Sequence, residues 1–201
     1  MDSEKEKDKE KEVPQIPSIE LLRMELAREE YRHSFRKTLL NIAGVLAVVA
    51  AIVVLLATRL FMLIQVNGNS MNPTLGDGEI VILQQTKEVE KGDVAGFYYG
   101  GRVLLKRVVG GPEDYIDIDQ DGNVSVNGKL IDEPYLTEKN LGKCELEFPY
   151  RVPKGMYFVL GDNRAISVDS RIVSIGCVQS EQIVGKVVFR AWPLNRMGIM
   201  H

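Results

Sequence analysis

Histidine is nearly missing from this chain, with only His33 and the terminal His201 in 201 residues. That scarcity argues against any nucleophile–imidazole–carboxylate triad unless the last residue is recruited. Two cysteines, with so few histidines, cannot build a closed zinc site of the usual kind or a disulfide-dense scaffold. The formal net charge is −3, so no general basic field exists to hold nucleic acid. Phosphate-cradling G-x-x-x-x-G-K-[ST] and G-x-G-x-x-G loops are missing, as are H-E-x-x-H and G-x-S-x-G. Neither a metal nor an organic cofactor is expected. Whatever chemistry occurs here must proceed largely without histidine.

What is present is sharply segmented. Residues 1–17 open with MDSEKEKDKEKE and read as a solvated, disordered charged tail, too polar to offset its ordering entropy. Ser18 stands where a helix N-cap would stand, and residues 18–37 form a charged, helix-compatible juxtamembrane segment. Residues 38–58, TLLNIAGVLAVVAAIVVLLAT, carry no charge. At about 1.5 Å rise per residue, that run matches a hydrocarbon core of about 30 Å. A buried core helix would keep a polar stripe, and a cleaved leader would be shorter and end at a small-residue site. A transmembrane helix is the expectation. Arg28, Arg32, Arg36 and Lys37 precede it and only Arg59 follows closely. The positive-inside rule then predicts a cytoplasmic N-terminus and an extracytoplasmic 59–201.

Beyond the span, no helical periodicity of useful length appears. Short β-branched or aromatic runs occupy 60–66, 79–83, 94–99, 102–109, 115–119, 156–160 and 183–191. Between them lie Gly100-Gly101, Gly110-Gly111-Pro112, Asp121-Gly122 and Asn127-Gly128. Asp121-Gly122 between Ile118 and Val124 is the best hairpin signal. The predicted fold is mainly β: one all-β domain, a sandwich or open barrel, behind a single transmembrane helix.

Three segments of that domain could carry chemistry. Ser70 lies just after the first strand in Gly68-Asn69-Ser70-Met71-Asn72-Pro73-Thr74-Leu75. Lys106 lies within Leu104-Leu105-Lys106-Arg107-Val108-Val109, sharing a strand face with Leu104 and Val108 while Arg107 takes the other. Desolvation lowers a buried lysine's pKa, and a lysine is a recorded substitute for histidine as the base of a serine nucleophile. A turn serine and a snorkelling lysine remain open as plainer readings. The third segment, Gly161-Asp162-Asn163-Arg164-Ala165-Ile166-Ser167-Val168-Asp169-Ser170-Arg171, offers hydroxyls to orient an amine and charges to brace a loop.

In this order, behind one N-terminal span, the three segments resemble bacterial type I signal peptidase in the form typical of Gram-positive bacteria. Ser70-Met71-x-Pro73-Thr74-Leu75, Lys106-Arg107-Val108-Val109-Gly110 and the 161–171 segment carry the likeness. Gly92-Asp93-Val94 and Gly185-Lys186 to Trp192-Pro193 fit the same framework, so it spans roughly residues 38–196. The resemblance implies a membrane-bound serine endopeptidase that removes signal peptides through an acyl-enzyme. Ser70 would be the nucleophile and Lys106 the neutral general base. Ser167 would orient the amine, Asp169 and Arg171 would brace the motif, and Asp162, Asn163 and Arg164 would shape it. The Ser70 N–H would be one oxyanion-hole donor. Gly68 departs from relatives that place a hydroxyl there, which leaves the second donor unassigned, and Glu113 replaces a frequent glycine.

Substrates implied are secreted preproteins with small residues at −3 and −1, bound extended beside an edge strand at the bilayer. Ile64, Val66, Met71, Leu75, Val81, Leu104 and Leu105 are candidate pocket walls, with ordinary core as their alternative role. Cys144 and Cys177 fall on the oxidising side, where either a disulfide or two thiols is allowed. Two rival readings are a non-catalytic pilus-assembly relative, expected to lack the serine or lysine, and a self-cleaving repressor, expected to carry a DNA-binding half.

Overall fold

The computed structural model describes residues 18–200. The expected tail, residues 1–17, lies outside the described residues. The chain divides into two compact units, Met1–Val54 and Leu55–His201.

Helix α1, Ile19–Leu60, runs without interruption through both the charged lead-in and the apolar run. Ser18 caps it: its hydroxyl accepts the Leu21 N–H at 3.4 Å and its carbonyl the Leu22 N–H at 3.1 Å. Glu29 and Arg32 pair one turn apart at 3.2 Å. Within α1 an 18-residue window reaches a mean hydropathy of 2.9, long and apolar enough to cross a membrane.

The second unit is β structure. Its strands are β1 Phe61–Gln65, β2 Ile80–Gln84, β3 Val94–Tyr99, β4 Arg102–Gly110, β5 Tyr115–Ile118 and β6 Val124–Val126. They continue as β7 Lys129–Leu130, β8 Tyr150–Arg151, β9 Met156–Leu160, β10 Val178–Gln179, β11 Ile183–Trp192 and β12 Gly198–Ile199. The larger sheet runs β1-β2-β11-β3-β4-β9-β10, with β12 paired to β11, and the smaller runs β7-β6-β5-β8. Every strand pair is antiparallel. The seven long strands follow the β-branched runs. The two- and three-residue strands carry too little pattern to announce themselves.

Two turns set the geometry that matters. Gly100 and Gly101 both sit at positive φ, 56° and 77°, and join β3 to β4 with Tyr99 opposite Arg102. A two-residue turn of that hand fixes register, so Ala95 faces Lys106 and Val94 faces Arg107. Asp121-Gly122 closes β5 onto β6 with Ile118 opposite Val124, as expected. Glu113, at φ 69°, takes the left-handed conformation that explains why a glycine suits that turn.

Three apolar clusters fill the domain. Val66, Met71, Leu75, Val81, Leu83, Val94, Leu105 and Val187 form the first, under the turn that carries Ser70. Val109, Ile116, Phe158 and Leu160 belong to the second, and Ala95, Phe97, Val108 and Val159 to the third. Residues 132–149 carry no helix or strand. Cys144 and Cys177 are free thiols.

Candidate active site

Three chain segments far apart in sequence meet at Ser70. The turn after β1 presents the hydroxyl, β4 presents Lys106, and the loop after β9 closes behind them. Lys106 Nζ donates to Ser70 Oγ at 2.7 Å across 36 residues of sequence. Lys106 is only 4% exposed. Burial pulls its pKa below the ordinary lysine value, with Arg171 adding to the shift and Asp169 and Asp162 opposing it. A buried amine hydrogen-bonded to a serine hydroxyl is the geometry a general base needs.

The amine's neighbours explain why it can remain unpaired. Arg107 donates through Nε and Nη2 to both oxygens of Asp162, at 2.9 and 2.6 Å. It also reaches the Gly92 carbonyl and Thr74 Oγ1, and its guanidinium lies 3.9 Å over the Tyr135 ring. Arg171 forks onto Asp169 through Nε and Nη2, both at 2.8 Å. Arg164 pairs with Glu133, whose Oε1 also accepts the Tyr135 hydroxyl at 2.8 Å. Burial first, then the Glu133 charge, pushes the Tyr135 phenol above its ordinary value, so it stays a neutral donor. Asp162, Glu133 and Asp169, the buried carboxylates near the dyad, thus each face an arginine, which leaves no unpaired acid among the described residues to hold Lys106 protonated.

The 161–171 loop acts as the back wall. Asp169 Oδ2 accepts the Gly161 N–H at 2.9 Å, and Ser170 exchanges two hydrogen bonds with Val159 on β9. Asn163 N–H donates to the Ser70 carbonyl at 3.0 Å, which ties the loop to the nucleophile's own residue. Gly161 is a matter of contact: a Cβ there would overlap Ser167 Oγ and lie 2.6 Å from the Ser70 carbonyl oxygen.

The expected hydrogen bond from Ser167 to the lysine amine is not formed. The Ser167 hydroxyl is buried with no hydrogen-bond partner among the described residues, and it packs against Gly161. Among the candidate pocket walls, Ile64, Val66, Met71, Leu104 and Leu105 do line a groove of about 490 Å³ that reaches Ser70 and Lys106. Leu75 and Val81 do not line it. Both are 0% exposed and belong to the core beneath the Ser70 turn. Glu133 and Tyr135 went unnoticed in the sequence because an acid in an irregular stretch carries no local signal. Their partners stand about 30 residues away, Arg164 for Glu133 and Arg107 for Tyr135, or two residues away on the same loop.

The β domain and the buried Ser70–Lys106 contact fit one class, the serine hydrolases that use an amine as base. The model of the signal peptidase, peptidase S26, family matches residues 39–192. Signal peptidase IB of Staphylococcus aureus is 36% identical, with 75% of this chain and 89% of that protein covered. Signal peptidase I T of Bacillus subtilis is also 36% identical, with 75% and 85% covered. A crystal structure of a signal peptidase I from Enterococcus faecalis is 30% identical and covers 49% of this chain and 96% of its own, at a TM-score of 0.43. The chain belongs to the signal peptidase family, peptidase S26, and is a serine endopeptidase of that family.

Proposed function

We propose that this chain removes signal peptides from secreted preproteins with Ser70 as nucleophile and Lys106 as general base. The 2.7 Å contact between a desolvated lysine amine and the Ser70 hydroxyl carries the proposal. Ser70 Oγ attacks the scissile carbonyl carbon while its proton passes to Lys106 Nζ. The protonated amine then gives that proton to the departing amine of the mature protein. Lys106 next takes a proton from water as that water attacks the acyl ester, then returns it to the departing Ser70 Oγ, which frees the signal peptide's carboxylate and restores the neutral amine. The Ser70 N–H donates to no other group among the described residues, which supports its reading as one oxyanion donor.

Substrate is held by backbone pairing. Among the described residues, strand β1 pairs only with β2 and β4 meets β9 only from Arg107 onward, so residues 102–106 keep a free edge there. An extended peptide laid along those edges sets alternate side chains into the apolar groove. The N-terminus faces the cytoplasm and the β domain the outside, on the warrant of Arg28, Arg32, Arg36 and Lys37.

Ser70→Ala should fold normally and lose cleavage of a preprotein, since a half-buried hydroxyl leaves almost no cavity. Turnover near the unmodified rate would end the proposal. Protease added to cells without their wall should digest the β domain and spare residues preceding the span; the opposite pattern would reverse the topology.

A further inference from the structure

Glu79, Arg190 and Arg196 form a cluster outside the three motifs, and it converges on the carbonyl side of the nucleophile's turn. Glu79 directly precedes β2 and is 5% exposed. Its Oε1 accepts Arg196 Nη1 at 2.7 Å. Its Oε2 faces Arg190 Nε at 3.1 Å in an ion-pair contact rather than an aligned hydrogen bond. The free ends of both guanidiniums point the same way. Arg190 Nη2 donates to the Thr74 carbonyl, and Arg196 Nη2 donates to the Pro73 carbonyl at 3.0 Å.

Two consecutive carbonyls, three and four residues after Ser70, are therefore held by two arginines that one buried carboxylate holds in turn. The other attachments of the turn complete its restraint: the Ser70 carbonyl is taken by Asn163, and Leu75 N–H closes on Met71 O at 2.8 Å. With its carbonyls engaged, the turn cannot rotate its peptide planes without breaking charge-assisted hydrogen bonds. The Ser70 N–H belongs to the preceding peptide, whose Asn69 carbonyl accepts the Asn72 N–H at 3.2 Å, so the restraint on the turn reaches it through that bond. Arg196 lies in the short 3-10 turn Leu194–Arg196, past the segment the family model matches.

We infer that Glu79, Arg190 and Arg196 are positioning residues, a carboxylate-anchored arginine clamp that aims the Ser70 turn for attack. The inference rests on the reading of Ser70 as nucleophile. It assigns a positioning role to the C-terminal segment, which is not among the residues that line the groove. The clamp acts on the geometry of attack, so its loss lowers kcat while leaving the apolar groove, and with it KM, in place. It does not touch Lys106, so the pH at which activity appears stays where it was.

The test uses the full chain in detergent with a peptide substrate carrying alanine at −3 and −1. Arg196 is the safer variant, because its side chain is 44% exposed while that of Glu79 is buried. Assayed where circular dichroism shows each variant folded, Arg196→Met should lose roughly 10²-fold in kcat, the scale of an ångström's misplacement, with KM and the acid limb unchanged. Arg196→Lys should recover part of that loss, since an ammonium reaches one of the two acceptors but cannot span both. Glu79→Gln should follow Arg196→Met. Full kcat in folded Arg196→Met, or a loss seen only in KM, would overturn the clamp. Ser70→Ala in the same series separates the two readings: if it cleaves, the nucleophile assignment fails; if it is dead while Arg196→Met runs at full rate, only the clamp fails.

Discussion

Lys106 and Arg107 are neighbours on β4, each 4% exposed, and the protein treats their charges in opposite ways. On one face Arg107 receives a bidentate carboxylate, a backbone carbonyl, a hydroxyl and an aromatic ring. On the other, Lys106 receives a serine hydroxyl. Burial is the same; pairing differs. A paired buried cation is a brace, whereas an unpaired buried amine holds its proton less tightly and is suited to act as a base. One residue of register separates structure from chemistry, and the Gly100-Gly101 turn sets that register.

The strongest way to break the comparison is to place the Arg107 chemistry at the Lys106 position. Lys106→Arg should cost roughly 10²–10⁴-fold in kcat/KM, the usual worth of a general base, because a guanidinium cannot accept the serine proton near neutral pH. An active variant would mean that the site needs only positive charge. In the unmodified enzyme, activity should climb with pH as the amine deprotonates, with its acid limb below the ordinary lysine value of 10.5. An acid limb at or above that value would show that Lys106 is not desolvated in solution.

The next largest effect should fall on stability. Arg107→Met leaves Asp162 buried without its partner, which should cost about 3–5 kcal/mol and lower Tm by several degrees. Lys106→Met should do the reverse. The folded-state pKa of Lys106 lies below its unfolded value, so between the two the unfolded chain binds the extra proton. Stability of the unmodified protein therefore rises with pH through that window, and the penalty is largest below it. Removing the amine removes the penalty, so Lys106→Met should melt higher than the parent at neutral pH and converge with it toward pH 10.5. Thermal melts across pH decide this; a lower Tm for Lys106→Met at neutral pH would contradict it.

How much of this was legible in the sequence follows from the range of each signal. The long strands showed themselves through β-branched runs, and hairpins β3–β4 and β5–β6 through local turn chemistry. That Ser70 and Lys106 meet, at 2.7 Å, was legible because each sits in a short motif and because the shortage of histidine left few other partners for a serine. The insertion of β11 between β2 and β3 was not legible, since it pairs strands about 90 to 110 residues apart. Nor were Glu133, Tyr135, Glu79 and Arg196, whose meaning lies entirely in partners brought from elsewhere. Leu75 and Val81 were read as pocket walls because an apolar residue near a site looks the same whether it faces the groove or the core.

The smallest expected effect concerns Ser167, the third hydroxyl of the region. Its Oγ is buried without a partner, and the space where Gly161 lacks a Cβ touches both that oxygen and the Ser70 carbonyl. An unsatisfied buried hydroxyl costs free energy, so Ser167→Ala should leave Tm unchanged or raise stability by up to about 1 kcal/mol. For Ser167 to orient the lysine amine, its hydroxyl would have to turn toward Lys106 when substrate binds. One neutral hydrogen bond of that kind is worth about 1 kcal/mol, so activity should fall by up to roughly tenfold. The two changes have opposite signs, and that opposition makes the test sharp. A variant both as active and more stable would reduce Ser167 to packing against Gly161. A variant less active at equal or greater stability would make it an orienting group, its unpaired state in the resting enzyme being the cost of meeting the amine only when Ser70 attacks.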